Sequence, residues 1–210
     1  MNPPHIRRLG ILGGSFNPIH HAHLFTAEVA AAAFALDRVL LIPAAQSPFK
    51  QQSSVPAEHR LQMVHLAAAG NPLLQVSALE LDRPPPSYTV DTVAALREHY
   101  ADAALFLVLG IDALVDLLEW RGPERLLDLC QLIVVSRPGL PLEIPREVRD
   151  ALGARADRIL LQPMPKLQIS STDIRRRLAH GEPVRYLLPE SVEHYIRAQG
   201  LYAARSLHDV

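Results

Sequence analysis

The sequence alternates short apolar runs with longer segments of helical composition. Strand-like runs occupy residues 7–13, 37–43, 73–81, 104–110, 131–139 and 158–163. Alanine content, apolar spacing and stop signals predict helices at 22–36, 57–70, 87–100, 112–120, 171–181 and 189–200. Strands that are apolar on both faces are typical of a parallel sheet between helices. The alternation predicts an α/β fold with a doubly wound, mainly parallel sheet, helices on both faces and a small C-terminal helical part at about residues 170–205.

The composition fits one domain over residues 1–210, because the proline-rich stretches 43–56 and 82–87 join segments of one sheet. Of the 210 residues 49% are hydrophobic, and 21 Lys and Arg balance 22 Asp and Glu. This balance favours neither a nucleic acid nor a membrane surface as partner.

The single cysteine, Cys130, excludes an internal disulfide, and its apolar surroundings predict a buried, inert thiol. No signal-peptide pattern and no segment able to cross a bilayer is evident, so we expect a soluble, cytoplasmic protein.

A glycine pair follows the first strand. Gly13 and Gly14 end the apolar run and precede the first predicted helix, a geometry that brings polyphosphates to backbone N–H groups. The segment matches neither of the two standard phosphate-binding fingerprints. A structural turn and a phosphate site both remain open on this pattern alone.

Three histidines crowd the start of that helix. His20 and His23 are three residues apart, which predicts that they share one face, whereas His21 points elsewhere. A metal site is poorly supported, since no further ligand falls at a recognisable spacing. The pair could instead be one packed and one solvated histidine. It could also be two N–H donors beside an anionic group.

The residues also resemble a known family along nearly the whole chain. GGSFNPIHHAHL (13–24) is similar to the first signature of the HxGH nucleotidylyltransferase superfamily, and ISSTDIRRRL (169–178) to its ISSTxIR signature. Between and after them, the segments at 42–50, 86–93, 109–120, 134–139 and 200–202 resemble motifs of the bacterial nicotinate-nucleotide adenylyltransferases, in order. The chain departs from the family pattern at Asn17, Ala22 and Phe49, where aspartate, glycine and histidine are usual.

The resemblance implies a Rossmann-like fold and a reaction. ATP would transfer its adenylyl group to nicotinate mononucleotide, giving nicotinate adenine dinucleotide and pyrophosphate in NAD biosynthesis. The resemblance implies Mg²⁺ held mainly by the ATP phosphates, with no metal ligands from the protein. Alternatives are nicotinamide mononucleotide or another substrate of the superfamily, such as phosphopantetheine, and a non-catalytic nucleotide-binding regulator on the same fold. The sequence does not predict the oligomeric state.

The resemblance also assigns site residues. The implied catalytic residues are His20, His23 and Arg175. The implied ATP-binding residues are Gly13, Gly14, Ser15, Phe16, Asn17, His20, His23, Gly110, Asp112, Ser171, Thr172 and Arg175. The implied mononucleotide-binding residues are Ser15, Lys50, Ser87, Tyr88, Thr89, Trp120 and Arg137, with Trp120 stacked on the nicotinate ring.

Structural roles remain open for many of these residues. Ser171 or Thr172 suits the N-cap of the helix in ISSTDIRRRL, and Ser87, Thr89 and Asp112 could cap other helices. Trp120 could simply pack in the core. Of the three consecutive arginines in that helix, two are expected to be solvated.

Overall fold

All six predicted strands are present, in one sheet. The computed structural model describes residues 6–45, 55–136, 139–165 and 167–203. The strands are β1 (Arg8–Gly14), β2 (Arg38–Pro43), β3 (Leu74–Val76), β4 (Ala104–Gly110), β5 (Gln131–Val135) and β6 (Ile159–Gln162). Every pairing is parallel, and the strand order is β3-β2-β1-β4-β5-β6. The predicted doubly wound α/β sheet is confirmed.

Helices follow most of the strands and also form the C-terminal part. They are α1 (His21–Phe34), α2 (Ala57–Ala68), α3 (Thr89–His99), α4 (Ile111–Val115), α5 (Pro123–Leu129), α6 (Arg146–Leu152), α7 (Ser171–Ala179) and α8 (Glu190–Ala198). Short 3-10 helices lie at Leu117–Glu119 and Gly153–Arg158. None of the helices in the described part of the chain is both long and apolar enough to cross a membrane.

Some local predictions were wrong. The strand predicted over 73–81 ends at Val76, because the chain then turns and the N–H groups of Leu81 and Asp82 donate to the carbonyl of Ala78. The helix predicted over 112–120 is divided into α4 and a 3-10 turn. Helices α5 and α6 were not predicted, since each spans seven residues, too few for a clear helical period.

The core has two layers, one on each face of the sheet. The α3 face buries sheet residues such as Leu9, Leu107 and Val134 against α3, α4, α5 and α6. The α1 face buries the alternate residues, such as Leu41 and Ile133, against α1, α2, α7 and α8. Helices thus cover both faces, as predicted. Near-continuous apolar strands are needed because each strand residue meets one of the two layers.

The sheet divides at its carboxyl edge. β1 stays paired with β2 up to Gly14, and β4 stays paired with β5 up to Gly110. The pairing between β1 and β4 ends at Ile11 and Leu107, three residues before either strand ends. The winding of the chain also reverses between these two strands, and sheets of this class bind ligands in the crevice at such a point.

Cys130 is buried as predicted. Its side chain is 1% exposed, and burial raises the pKa of the thiol to about 12. A thiol with so high a pKa is a poor nucleophile near neutral pH.

Candidate active site

The loop between β1 and α1, residues 15–20, lies at the mouth of the crevice between β1 and β4. Two apolar side chains anchor it, since Phe16 is 1% exposed and Ile19 is fully buried in the α1-face core. Phe16 has a φ of 43°, in the left-handed region that residues with a side chain rarely adopt. Such strained positions persist where surrounding contacts hold them, and they cluster at functional sites.

The carbonyl oxygens of this loop are held by side chains from outside it. Arg60 Nη1 on α2 donates to the carbonyl of Ser15 at 2.9 Å. From α7, Arg175 Nη1 donates to the carbonyl of Asn17 at 2.8 Å, and Ser171 Oγ donates to that of Pro18 at 2.9 Å. In a trans peptide the N–H points opposite to the C=O. Drawing the carbonyls of Ser15 and Pro18 toward the helices therefore turns the N–H groups of Phe16 and Ile19 away from them, whereas the peptide between Asn17 and Pro18 is cis and has no N–H.

The glycine pair leaves space at the end of β1. Among the residues that the structure describes, a Cβ added to Gly13 would find only the carbonyl oxygen of Ile42, at 4.0 Å, so the packing of these residues does not require glycine there. A Cβ on Gly14 would lie 3.3 Å from the ring of Phe16. Gly13 is also exposed. These contacts fit a strand end kept clear for a ligand.

His20 and His23 lie together, as predicted, but not as two residues of one helical turn. His20 is the N-cap residue of α1, with an extended backbone, and its N–H donates to Nδ1 of His23 at 3.2 Å. The two rings stack with centroids 3.7 Å apart and planes 19° from parallel. The ring of Phe16 meets that of His23 edge-on at 5.1 Å. Because Nδ1 of His23 accepts, the neutral ring carries its proton on Nε2 and can donate from there.

Helix α7 contributes its first turn to the loop. Its N-cap is Ser170, whose Oγ accepts from the N–H of Asp173 at 3.1 Å, so the expectation of Ser171 or Thr172 at the N-cap was wrong. The cap falls one residue earlier because Ser171 donates its hydroxyl to Pro18 instead. Thr172 Oγ1 accepts from the guanidinium of Arg175 at 3.2 Å.

The three consecutive arginines of α7 have different partners. Arg175 faces the loop, whereas Arg176 and Arg177 form ion pairs with Asp173 and Glu182 on the helix surface. Hydrogen bonds from Arg177 and Arg176 lower the pKa of Asp173. The expected division of one arginine toward the site and two away from it agrees with this arrangement, although the two outer arginines are ion-paired rather than simply solvated.

The end of the described chain also reaches the loop. Tyr202 donates its hydroxyl to Oδ1 of Asn17 at 2.5 Å. Burial raises the pKa of Tyr202 above its usual value, so the phenol stays protonated and remains a donor. Asn17, where the family has aspartate, is 9% exposed and keeps an acceptor oxygen for this contact.

The second half of the candidate site lies at the start of α3. Tyr88 is the N-cap residue, and its side chain does not cap the helix, so the expected caps at Ser87 and Thr89 were misplaced. The guanidinium of Arg121 lies over the ring of Tyr88, 4.7 Å from its centroid, and pairs with Asp91 at 3.4 Å. These contacts bring the segment that contains Trp120 against the first turn of α3.

A buried polar chain supports the first turn of α3. Thr92 Oγ1 donates to Glu80 Oε1 at 2.7 Å and accepts from the guanidinium of Arg83. Glu80 and Thr92 are both buried, and Tyr88 and Trp120 are half-buried against the α3-face core. This half of the site therefore rests on the opposite face of the sheet from Phe16 and Ile19.

The remaining described residues of the predicted ATP site lie across the crevice. Gly110 ends β4 and is the N-cap residue of α4, and Asp112 is exposed in the first turn of that helix. Asp112 is thus not the cap itself.

Known proteins resemble this chain over nearly all of its length. A family model described as cytidylyltransferase-like matches residues 11–177. A protein of Roseiflexus sp. (strain RS-1), named a probable nicotinate-nucleotide adenylyltransferase, is 48% identical over 195 residues, which cover 92% of this chain and 97% of that one. A protein of Thermus thermophilus with the same name is 46% identical, over 93% of this chain and 99% of its own. The chain belongs to the nicotinate-nucleotide adenylyltransferase family.

A solved structure agrees on the fold of this family. Plasmodium falciparum nicotinic acid mononucleotide adenylyltransferase complexed with NaAD superposes with a TM-score of 0.76 over 93% of this chain and 97% of that one. The two sequences are 20% identical, so this likeness supports the fold and not the individual site residues.

Two predicted site residues of this family member, Lys50 and Arg137, lie outside the described residues, as does Phe49. Within the described ranges, no group of three or more His, Cys, Asp or Glu side chains is placed to hold a metal ion.

Sequence reasoning missed Arg60, Arg121 and the contact of Tyr202. For Arg60 a signal was available, since it precedes Met63 and Val64 by three and four residues and so shares their buried helix face. A charged residue on such a face needs a specific partner. Tyr202 falls in the matched GLY segment, but a terminal motif does not reveal which loop it contacts.

Proposed function

We propose that this protein transfers the adenylyl group of ATP to nicotinate mononucleotide and releases pyrophosphate. The observation that carries the proposal is the β1–α1 loop, with its carbonyls drawn back by Arg60, Arg175 and Ser171 beside the stacked histidine pair. The relatives in Roseiflexus and Thermus thermophilus are named for the same reaction, which supports the proposal. The reaction belongs to NAD biosynthesis and uses intracellular ATP, which goes with a cytoplasmic protein.

The reaction requires alignment of the two reacting phosphate groups more than it requires proton transfer. A phosphate oxygen of the mononucleotide forms a bond to the α-phosphorus of ATP, and the bond from that phosphorus to the β-phosphate oxygen breaks. The attacking oxygen is already an anion, so no general base is required. Positioned donors that stabilise charge on the phosphates and on the leaving pyrophosphate then supply most of the catalysis.

The residues of the first half have distinct roles in this proposal. His23 donates from Nε2 to the phosphate chain, and the ring of His20, stacked on it, is the second donor. Arg175 keeps Nη1 on the carbonyl of Asn17 and Nη2 on Thr172, and presents its remaining N–H groups to phosphate oxygens. Gly13 and Gly14 leave room for the phosphates, and Gly110 and Asp112 bind the rest of ATP.

In this proposal Mg²⁺ enters with ATP and is held mainly by its phosphates and by water, because this small ion keeps several waters and binds through substrate phosphates. When bound, it would neutralise part of the phosphate charge. Arg175 on α7 adds a positive charge of the chain's own to the ATP phosphates.

The second half recognises the mononucleotide. Trp120 stacks on the pyridine ring. The backbone N–H groups at the start of α3, near Ser87, Tyr88 and Thr89, donate to the carboxylate on that ring, as helix N-termini do to anions. Lys50 binds the phosphate of the mononucleotide, and Arg137 contacts the mononucleotide. Ser15, next to the glycine pair, contacts both substrates.

Pyrophosphate release with nicotinate and nicotinamide mononucleotides, measured side by side, tests the proposal. We expect nicotinate mononucleotide to be preferred, since the α3 N-terminus favours a carboxylate over an uncharged amide. An equal or larger kcat/KM with nicotinamide mononucleotide would contradict the substrate. ATP binding without pyrophosphate release from either compound would favour the alternative of a non-catalytic regulator.

A further inference from the structure

Arg60 is a buried arginine that joins two loops of the candidate site. It is 3% exposed, and its Nη1 donates both to the carbonyl of Ser15, 2.9 Å away, and to that of Ala44, 2.7 Å away. Its Nη2 donates to the carbonyl of Ala45 at 3.2 Å. Ser15 follows β1, and Ala44 and Ala45 follow β2, so one side chain holds the ends of two neighbouring strands.

The positive charge of the Arg60 guanidinium is stabilised by the dipoles of backbone carbonyl groups and not by a carboxylate. Within the described residues it forms no ion pair, and its Nε has no hydrogen-bond partner there. Burial lowers the pKa of Arg60, but an arginine starts high enough to stay charged. Burying a cation without a counter-charge is costly, and an anion bound nearby offsets that cost.

The geometry points to Arg60 as a positioning residue for the polyphosphate. We propose that it ties the β1–α1 loop to the segment after β2 and turns their carbonyl oxygens away from the bound phosphates. The N–H of Phe16 belongs to the same peptide as the carbonyl of Ser15, so it is directed away from Arg60 and toward the ligand side. This inference rests on the proposed function, since it assumes that a nucleotide occupies the crevice.

The chain offers a matched control for a purely structural role. Arg97, on α3, also donates to three backbone carbonyls, those of Ala101, Ala103 and Leu129. These carbonyls lie before β4 and before β5, at the opposite edge of the sheet from the crevice. Loss of Arg97 removes a similar set of hydrogen bonds without touching either loop of the site.

The experiment compares Arg60→Met, Arg60→Lys and Arg97→Met in the full chain, at a temperature where circular dichroism shows each protein folded. The Kd of ATP with Mg²⁺ is measured by calorimetry, and kcat and KM by pyrophosphate release. For Arg60→Met we expect ATP binding and kcat/KM to weaken by about tenfold or more, because charge and alignment are both lost. Arg60→Lys should recover part of the loss, since one ammonium keeps the charge but cannot span both loops. Arg97→Met should lower Tm and leave Kd and kcat/KM within about twofold.

Two results would overturn the inference. One is ATP binding by Arg60→Met within about twofold of wild type, and the other is an equal loss in Arg97→Met. If Arg60→Met does not fold, the Kd of ATP is compared between Arg60→Lys and Arg97→Lys. Equal ATP affinities of these two variants would overturn the inference. If wild type binds ATP but releases no pyrophosphate with either mononucleotide, the proposed function fails, and the inference is still judged by the Kd of ATP.

Discussion

The two halves of the candidate site are built in different ways. The β1–α1 loop is buried by Phe16 and Ile19 and held by hydrogen bonds from α2, α7 and Tyr202. The other half, at the start of α3, is half-buried, and its link to the Trp120 segment runs through Arg121, whose side chain is 61% exposed. The first half is therefore held by more buried contacts than the link between α3 and the Trp120 segment.

This difference matches what each half must do in the proposed reaction. Stabilising charge on the phosphates depends on donors that do not have to reorganise when the charge shifts. Recognising the pyridine ring depends on the area of stacking contact and on hydrogen bonds to one carboxylate. Both tolerate small shifts of the side chains. Mutations in the first half should therefore reduce the rate, and mutations in the second should reduce affinity for the mononucleotide.

The largest expected effect comes from the histidine pair. His20→Ala or His23→Ala removes a donor next to the phosphates and should lower kcat by about 10²- to 10³-fold, as the loss of one such donor does in other enzymes. KM for nicotinate mononucleotide should change by less than about threefold, since its ring binds in the other half. Steady-state pyrophosphate release gives both constants.

The neighbouring histidine provides the control. His21 donates its backbone N–H to the carbonyl of Leu187, a contact that alanine retains, so His21→Ala should keep kcat within about twofold. Near-wild-type turnover in both His20→Ala and His23→Ala would contradict the proposed assignment of the first half.

A smaller effect is expected at Trp120. Trp120→Ala should raise KM for the mononucleotide by roughly 5- to 100-fold, since stacking on a base contributes about 1–3 kcal/mol. Trp120→Phe, which keeps an aromatic face, should recover most of that loss. The Kd of ATP should not change in either variant, because the β1–α1 loop packs on the other face of the sheet. Equal losses for both substrates would show that the two halves are not independent.

The sequence predicted the sheet better than it predicted the support of the site. Buried parallel strands are apolar on both faces, so their pattern is visible directly. The N-cap of α7 was misplaced because Ser170, Ser171 and Thr172 are all residue types that cap helices. The hydroxyl of Ser171 donates to Pro18 instead, and this leaves Ser170 as the N-cap. The spacing of Arg60 from Met63 and Val64 signals its burial, but its partners are backbone carbonyls, which no side-chain pattern encodes.

The smallest effect is expected where the end of the chain meets the first half. Tyr202→Phe removes the hydroxyl that donates to Asn17 and leaves a buried acceptor without that donor. One such hydrogen bond contributes about 0.5–1.5 kcal/mol, but it is already made without ATP. Only part of that energy reaches the binding free energy, so the Kd of ATP should rise by less than about tenfold. Tyr186→Phe is the matched control, because Tyr186 is 83% exposed, and it should leave the Kd unchanged.

The same variant can show whether Tyr202 acts as a donor or only as packing. Because the pKa of Tyr202 is raised, its phenol stays protonated. The ratio of the ATP Kd of Tyr202→Phe to that of wild type should therefore stay constant from about pH 7 to 9. A difference that disappears within that range would mean that the hydroxyl titrates and is not held by Asn17. The KM for the mononucleotide should change less than the Kd of ATP. Equal changes would mean that Tyr202 supports both halves of the site, and would contradict the division of the site into two independent halves.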